Sequence, residues 1–208
     1  MTVLFTKRRY VNTMNSASQD NLIDFVYDLF NWFSPGSSSD RIRKMLTYMP
    51  NSVCITVEQD GVCVAFMVLH TERFKNKKII YVNGVVVDEN FRSHGLLRKM
   101  LQQEIDLFSP DYITLQTQNP QVYLLVRSIC GEQNTWPRPI FSPSRRDLDI
   151  AIHISRGRVK DSSLIIPEIY GDIRQDRSYL FSNNEDVNRF FASSLNRNDA
   201  FFVIAHTN

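Results

Sequence analysis

Apolar residues recur three and four positions apart in the first quarter of the chain. Leu22, Phe25, Val26, Leu29, Phe30 and Phe33 fall on one helical face, which predicts a helix over about 19–33. Ser16-x-x-Gln19 ahead of it has the form of a capping box, and Pro35-Gly36 breaks it. A second helix starts near Ser39 or Asp40, carries Ile42, Met45, Leu46 and Met49 on one face, and closes at Pro50. Before these helices, Val3–Val11 mixes apolar and basic residues and reads as a first strand. After them the texture changes. Val53–Glu58 and Val62–His70 flank Asp60-Gly61, the signal of a hairpin. Thr71–Lys78 is polar and Lys-rich and reads as a loop. Ile79–Val87 is a further strand, interrupted at Asn83-Gly84, where a glycine marks a bulge or a close backbone approach. The three valines that end it suit a strand buried on both faces.

Helical spacing returns with Leu96, Leu97, Met100, Leu101, Ile105 and Phe108, and Pro110 ends that helix. Tyr112–Gln116 reads as a short strand, Asn119-Pro120 as a turn and Val122–Cys130 as a helix. From Gly131 to Ser144 the chain is Pro-rich and loop-like. Leu148–Ile154 is assigned as a strand, Asn184–Leu195 as a helix and Ala200–His206 as the last strand. Hairpins followed by a strand–helix–strand unit describe a mixed sheet in an α/β or α+β domain. The length of 208 residues fits one domain, 1–208. Its C-terminal part, 131–208, supplies the Pro-rich loop, an inserted helix and the last strands.

Composition narrows the class. Hydrophobic content of 43% and charged content of 22% are ordinary for a globular protein. A net charge of +2 argues against a dedicated nucleic-acid binder, and Arg156–Lys160, the densest basic run, reads as a solvated turn. Cys54, Cys63 and Cys130 are an odd number at no metal-like spacing, so neither a metal site nor a disulfide framework is expected. Cys54 and Cys63 read as core residues, while Cys130, ending a helix, is a candidate thiol. Met1–Thr6 is too short an apolar segment for a signal peptide and is followed by Lys7-Arg8-Arg9. The longest apolar run, Val62–Leu69, falls far short of the ~20 residues that span a bilayer. The expectation is a soluble, cytoplasmic protein with no membrane and no nucleic-acid partner.

Glycine is scarce: seven residues, where average usage gives roughly 15. Two of them, Gly84 and Gly95, flank the segment richest in chemistry. There a strand runs into Asp88–Gly95 and a helix opens at Ser93-His94-Gly95. Unpaired N–H groups and the positive end of the helix dipole make such a start an anion site suited to a pyrophosphate. Gly95 keeps a Cβ out of the ligand's way. Arg92, Arg98 and Lys99 add positive charge, with His94 beside them. The rival nucleotide fingerprints, Gly-x-Gly-x-x-Gly and Gly-x-x-x-x-Gly-Lys, are missing.

The run Val85-Val86-Val87-Asp88-Glu89-Asn90-Phe91-Arg92-Ser93-His94-Gly95-Leu96-Leu97 resembles the acetyl-CoA-binding motif of the GCN5-related N-acetyltransferases, usually Arg/Gln-x-x-Gly-x-Gly/Ala. Thr117-Gln118-Asn119-Pro120-Gln121-Val122-Tyr123 looks like that family's segment against the pantetheine arm. Leu97 departs from the motif, standing where the family usually has Gly or Ala. The resemblance implies a GNAT-like acyl-CoA N-acyltransferase fold, a central, mixed, largely antiparallel sheet flanked by helices. It implies acetyl-CoA as co-substrate, held by Val85, Val86, Val87, Arg92, Ser93, His94, Gly95, Leu96, Leu97, Asn119 and Tyr123. It implies direct transfer of the acetyl group to an amine on a small molecule, a protein N-terminus or a lysine. A homodimer is compatible with it. Tyr123 is the candidate general acid, with a core aromatic as the other reading. No general base is identifiable: Glu72 and Asp88 lie near the site and His70 ends a strand facing it, with a structural histidine and a loop aspartate as the other readings. Tyr27, Trp32, Trp136 and Tyr170 are the aromatic candidates for the acceptor side. The alternative function is a non-catalytic member of the same fold that senses CoA or binds a protein.

Overall fold

The computed structural model describes residues 4–169 and 181–207, so the candidate Tyr170 lies outside the described residues. The chain forms two compact units, Met1–Glu72 with Val82–Ser109, and Arg73–Tyr81 with Pro110–Asn208. Each is taken by itself.

In the first unit β1 (Phe5–Tyr10) is the edge strand, antiparallel to β2 (Ser52–Gln59) from Phe5↔Glu58 to Tyr10↔Val53. The hairpin expected about Asp60-Gly61 joins β2 to β3 (Val62–Phe74), with a bulge at Val57/Glu58. β4 (Lys77–Val87) lies next to β3. Lys7 and Arg9 of β1 both reach Glu58, at 2.6 and 3.2 Å, and Arg8 reaches the buried Glu104 at 2.9 Å.

Helices α1 (Ser16–Phe33) and α2 (Ser39–Thr47) cover this sheet. Their buried positions Leu22, Val26, Leu29, Phe30, Ile42 and Leu46 pack with Cys54, Cys63, Phe66, Val68 and Val86 in one core. The helical periodicity of these segments is therefore the periodicity of burial. The cap of α1 sits one residue earlier than the sequence pattern suggests. Asn15 accepts from Ser18 N at 2.8 Å, and Gln19 turns back to the carbonyls of Val11 and Met14. Gly84 is a point of close approach. A Cβ built on it would stand 2.6 Å from Met45 Sδ, and the neighbouring Asn83 donates to the Met45 carbonyl.

Two expectations about β3 and β4 are corrected. Most of the expected loop Thr71–Lys78 is strand, closed by the two-residue turn Lys75-Asn76 with φ of 47° and 62°. Left-handed conformation at both central residues is the geometry of a twisted two-residue hairpin, and an asparagine tolerates it. The Val85–Val87 run is not buried on both faces. Val86 points into the core at 4% exposure, whereas Val85 and Val87 are half-buried.

The second unit carries β5 (Tyr112–Thr117), α4 (Pro120–Cys130), β6 (Thr135–Trp136), α5 (Arg145–Ile154), β7 (Ile165–Ile166), α6 (Glu185–Ser194) and β8 (Ala200–His206). Its strand order is β4-β5-β8-β6, with β7 also on β8. β8 pairs antiparallel with β5 from Tyr112↔His206 to Thr117↔Phe201 and is buried from Ala200 to Ala205.

The expected strand Leu148–Ile154 is instead the body of α5. Leu148, Ile150, Ile152 and Ile154 alternate, which suits a strand, but Ile150, Ala151 and Ile154 are the apolar positions that bury, at helical spacing. A full capping box, Ser144 with Asp147, fixes its start. The strands β6 and β7, two residues each, were not foreseen. Together the elements make a mixed α/β fold, with a mostly antiparallel sheet and flanking helices. Among the described residues no helix is long and apolar enough to cross a membrane.

Candidate functional site

After Val87 the backbone N–H of Asp88 donates to Val64 O at 2.9 Å, and the Asp88 side chain accepts from Asn90 N. That carboxylate shapes the loop, so its geometry is that of a turn residue. Glu89–Phe91 makes a short 3-10 turn, and the backbone then takes left-handed conformations at Ser93 (φ 65°) and Gly95 (φ 71°). His94 Nδ1 lies 2.9 Å from Arg92 O. Gly95 is the N-cap of α3 (Leu96–Phe108). A Cβ built on Gly95 meets nothing within 4 Å, so positive φ rather than crowding demands glycine, and the space at that position is open.

The start of α3 differs from the other helix starts. Asn15, Ser38, Asn119, Ser144 and Asn184 each place a side-chain oxygen on an amide of the helix they precede. Gly95 has none to offer, and the first turn of α3 holds no acidic residue. The N–H groups at the positive end of this helix dipole thus receive no acceptor from the side chain of the cap residue. Arg98 and Lys99 in that turn and Arg92 before it are exposed. Cations beside a helix N-terminus oppose its dipole, and a bound anion would offset both. Leu96 is buried at 6%, anchoring the turn, and Leu97 is half-buried beside it. The guanidinium of Arg92 lies over the indole of Trp32, 5.1 Å from the ring centroid, and Trp32 is 38% exposed.

In the second unit Asn119 caps α4. It accepts from Gln121 N at 2.8 Å, while its own N–H donates to Thr117 Oγ1. Tyr123 follows one turn on, 1% exposed, with its hydroxyl donating to Pro137 O at 2.6 Å and its ring against Phe191. Burial pushes its phenol upward, so it stays protonated at neutral pH. Here Tyr123 has a satisfied hydroxyl.

The remaining candidates each have their own surroundings. His70 is fully buried with its ring 6.1 Å from that of Tyr48, and Glu72 is half-buried. Tyr27 donates to Ser37 O, and Trp136 is buried. Cys130, the candidate thiol, is buried and burial pushes it up to about 11, which keeps it a thiol at neutral pH. One linked group escaped the sequence reading. Asp147, 1% exposed, accepts from Ser144 and from His206 Nε2 at 2.8 Å. Burial first, then the Asp147 charge, pushes nearby Tyr112 up to about 12. The Ser144-x-x-Asp147 spacing was the available signal. Among the described residues no group of three His, Cys, Asp or Glu side chains could hold a metal ion.

Residues 23–123 match the model of the acetyltransferase (GNAT) family. No curated protein matches the chain. Among solved structures, IAA acetyltransferase from Bacillus cereus is 13% identical with a TM-score of 0.50, covering 98% of this chain and 99% of that one. An aminoglycoside N-acetyltransferase in complex with CoA is 14% identical with a TM-score of 0.48, over 70% of this chain and 97% of that one. The GCN5-related glucosamine N-acetyltransferase region of a fungal multi-domain GH3 beta-N-acetylglucosaminidase is 17% identical with a TM-score of 0.43. That match covers 55% of this chain, and the chain spans 14% of the length of the fungal protein. The strand, the Arg92–Gly95 loop and the start of α3 all fall within the matched residues, and over that stretch the chain is similar to the GNAT family of acetyltransferases.

Proposed function

We propose that the chain is an acyl-CoA-dependent N-acetyltransferase that uses acetyl-CoA and passes the acetyl group directly to an amine. One observation supports this reading above the others: α3 starts at a Gly95 of positive φ that supplies no side-chain cap, with open space at its Cβ position and the exposed cations Arg92, Arg98 and Lys99 close by in sequence. Such a donor set fits the pyrophosphate of the coenzyme. The backbone N–H groups of Leu96 and Leu97 and the side chains of Arg92 and His94 would hold it. Gly84–Val87 on β4 would line the pantetheine arm.

The coenzyme supplies an activated thioester carbonyl. The amine nitrogen forms a bond to that carbonyl carbon, the carbon–sulfur bond breaks, and the nitrogen loses a proton while the departing thiolate gains one. Backbone donors on β4 stabilise the charge developing on oxygen. Tyr123 holds a proton that could serve the thiolate, provided its hydroxyl leaves the Pro137 carbonyl.

Thermal unfolding with and without acetyl-CoA tests the reading. At about 100 times its dissociation constant the ligand adds ~2.7 kcal/mol. That corresponds to a rise of roughly 5–10 °C in Tm for a chain of this size. An unchanged Tm at millimolar acetyl-CoA would sink it. The buried, satisfied hydroxyl of Tyr123 favours a second reading, coenzyme binding without transfer. A Tm shift with no thiol release across an amine panel would select that one.

A further inference from the structure

We infer that Trp32, near the C-terminal end of α1, is a positioning residue for the coenzyme's phosphates, acting by holding the guanidinium of Arg92. The inference rests on the acyl-CoA reading above and deepens it.

Trp32 does not belong to the core face of its helix. Leu22, Ile23, Val26, Leu29 and Phe30 are the buried positions of α1. Trp32 lies two residues beyond Phe30, about 200° further around the helix. Its large indole is 38% exposed, unlike the buried residues of the core face. What covers one face of it is Arg92, at 5.1 Å from the ring centroid. Among the described residues no carboxylate forms an ion pair with Arg92, although Lys7, Arg8, Arg9 and Arg43 in the same unit each have one.

The type of contact matters. A carboxylate partner would consume the N–H edge of the guanidinium and cancel its charge. An aromatic face holds the guanidinium by its plane, leaves the N–H fork pointing outward and leaves the positive charge intact. The ring therefore restricts a flexible arginine three residues ahead of the uncapped Gly95 without using the donors an anion needs. Ordering a side chain before the ligand arrives removes that cost from binding. On this geometry Trp32 serves the coenzyme side of the site rather than the acceptor side.

The test is a double-substitution cycle read by calorimetric titration of CoA into the full chain: wild type, Trp32→Ala, Arg92→Ala and the pair. Trp32→Ala is expected to weaken CoA about two- to fivefold, the range of an exposed cation–aromatic contact. Trp32→Phe should restore part of that loss. Arg92→Ala should weaken CoA more, and adding Trp32→Ala to it should do no further harm. Additive losses in the pair, or unchanged affinity in Trp32→Ala, would overturn the assignment and leave the acetyltransferase reading standing. A wild-type chain that binds no CoA overturns both. Unfolding curves of each variant establish that the compared proteins are folded.

Discussion

At the scale of single residues, two buried polar groups are legible as chemistry only once their partners are known. Burial alone would raise the carboxyl of Glu58, but hydrogen bonds from Lys7, Arg9 and Thr56 outweigh it and the group is lowered. A lowered carboxyl contributes stability above its unfolded value of about 4.3, and that contribution vanishes as pH falls through the folded value. Glu58→Gln is therefore expected to lower Tm at pH 7 and to converge with the wild type toward pH 3. A gap as wide at pH 3 as at pH 7 would contradict this. Tyr123 is the second case. Its hydroxyl sits on the Pro137 carbonyl, so Tyr123→Phe orphans that carbonyl and should cost about 1–3 kcal/mol in chemical unfolding. If the phenol also protonates the departing thiolate, kcat falls with it and the alkaline limb of the pH profile moves. If stability alone changes, its part is structural.

At the scale of elements, α1 to α4 were readable because each buries one stripe, and the stripe is written in Leu22–Phe33, Ile42–Leu46, Leu96–Leu101 and Tyr123–Cys130. The start of α3 was readable for a different reason. Gly95 must take positive φ, and glycine scarcity makes such a residue conspicuous. What stayed illegible depends on distant partners. β6 and β7 exist as strands only because β8 offers them edges, and two residues carry no period. The Arg92–Trp32 contact joins residues far apart in sequence, which no local pattern announces. In α5 the alternating period misled, and the Ser144-x-x-Asp147 cap that would have corrected it went unread. Ser144 caps that helix and Asp147 answers it. Ser144→Ala should cost about 1 kcal/mol by thermal or denaturant unfolding. Asp147→Ala should cost more, because the same carboxylate also accepts His206 at the end of β8. Equal costs for the two would mean that the His206 link contributes nothing.

At the scale of the whole molecule, the sequence order of the elements is not the order in which the units close. The second unit takes Arg73–Tyr81 from the middle of the chain and completes its sheet with the last strand. β8 supplies pairing to β5, β6 and β7 at once, and six of its seven residues are buried. Shortening the chain before Ala200 is expected to abolish cooperative unfolding of this unit, seen as loss of amide protection along Tyr112–Thr117. Persistence of that protection would show β5 to be stable without β8. The first unit bears a different kind of constraint, at Gly84. The thioether of Met45 occupies the place where any side chain at position 84 would begin. Positions 45 and 84 are therefore not independent letters in the sequence. A variant that gains a Cβ at 84 must let Met45 swing aside or carry a shorter residue there. Pairs of changes at these two sites should survive selection where either change alone is lost.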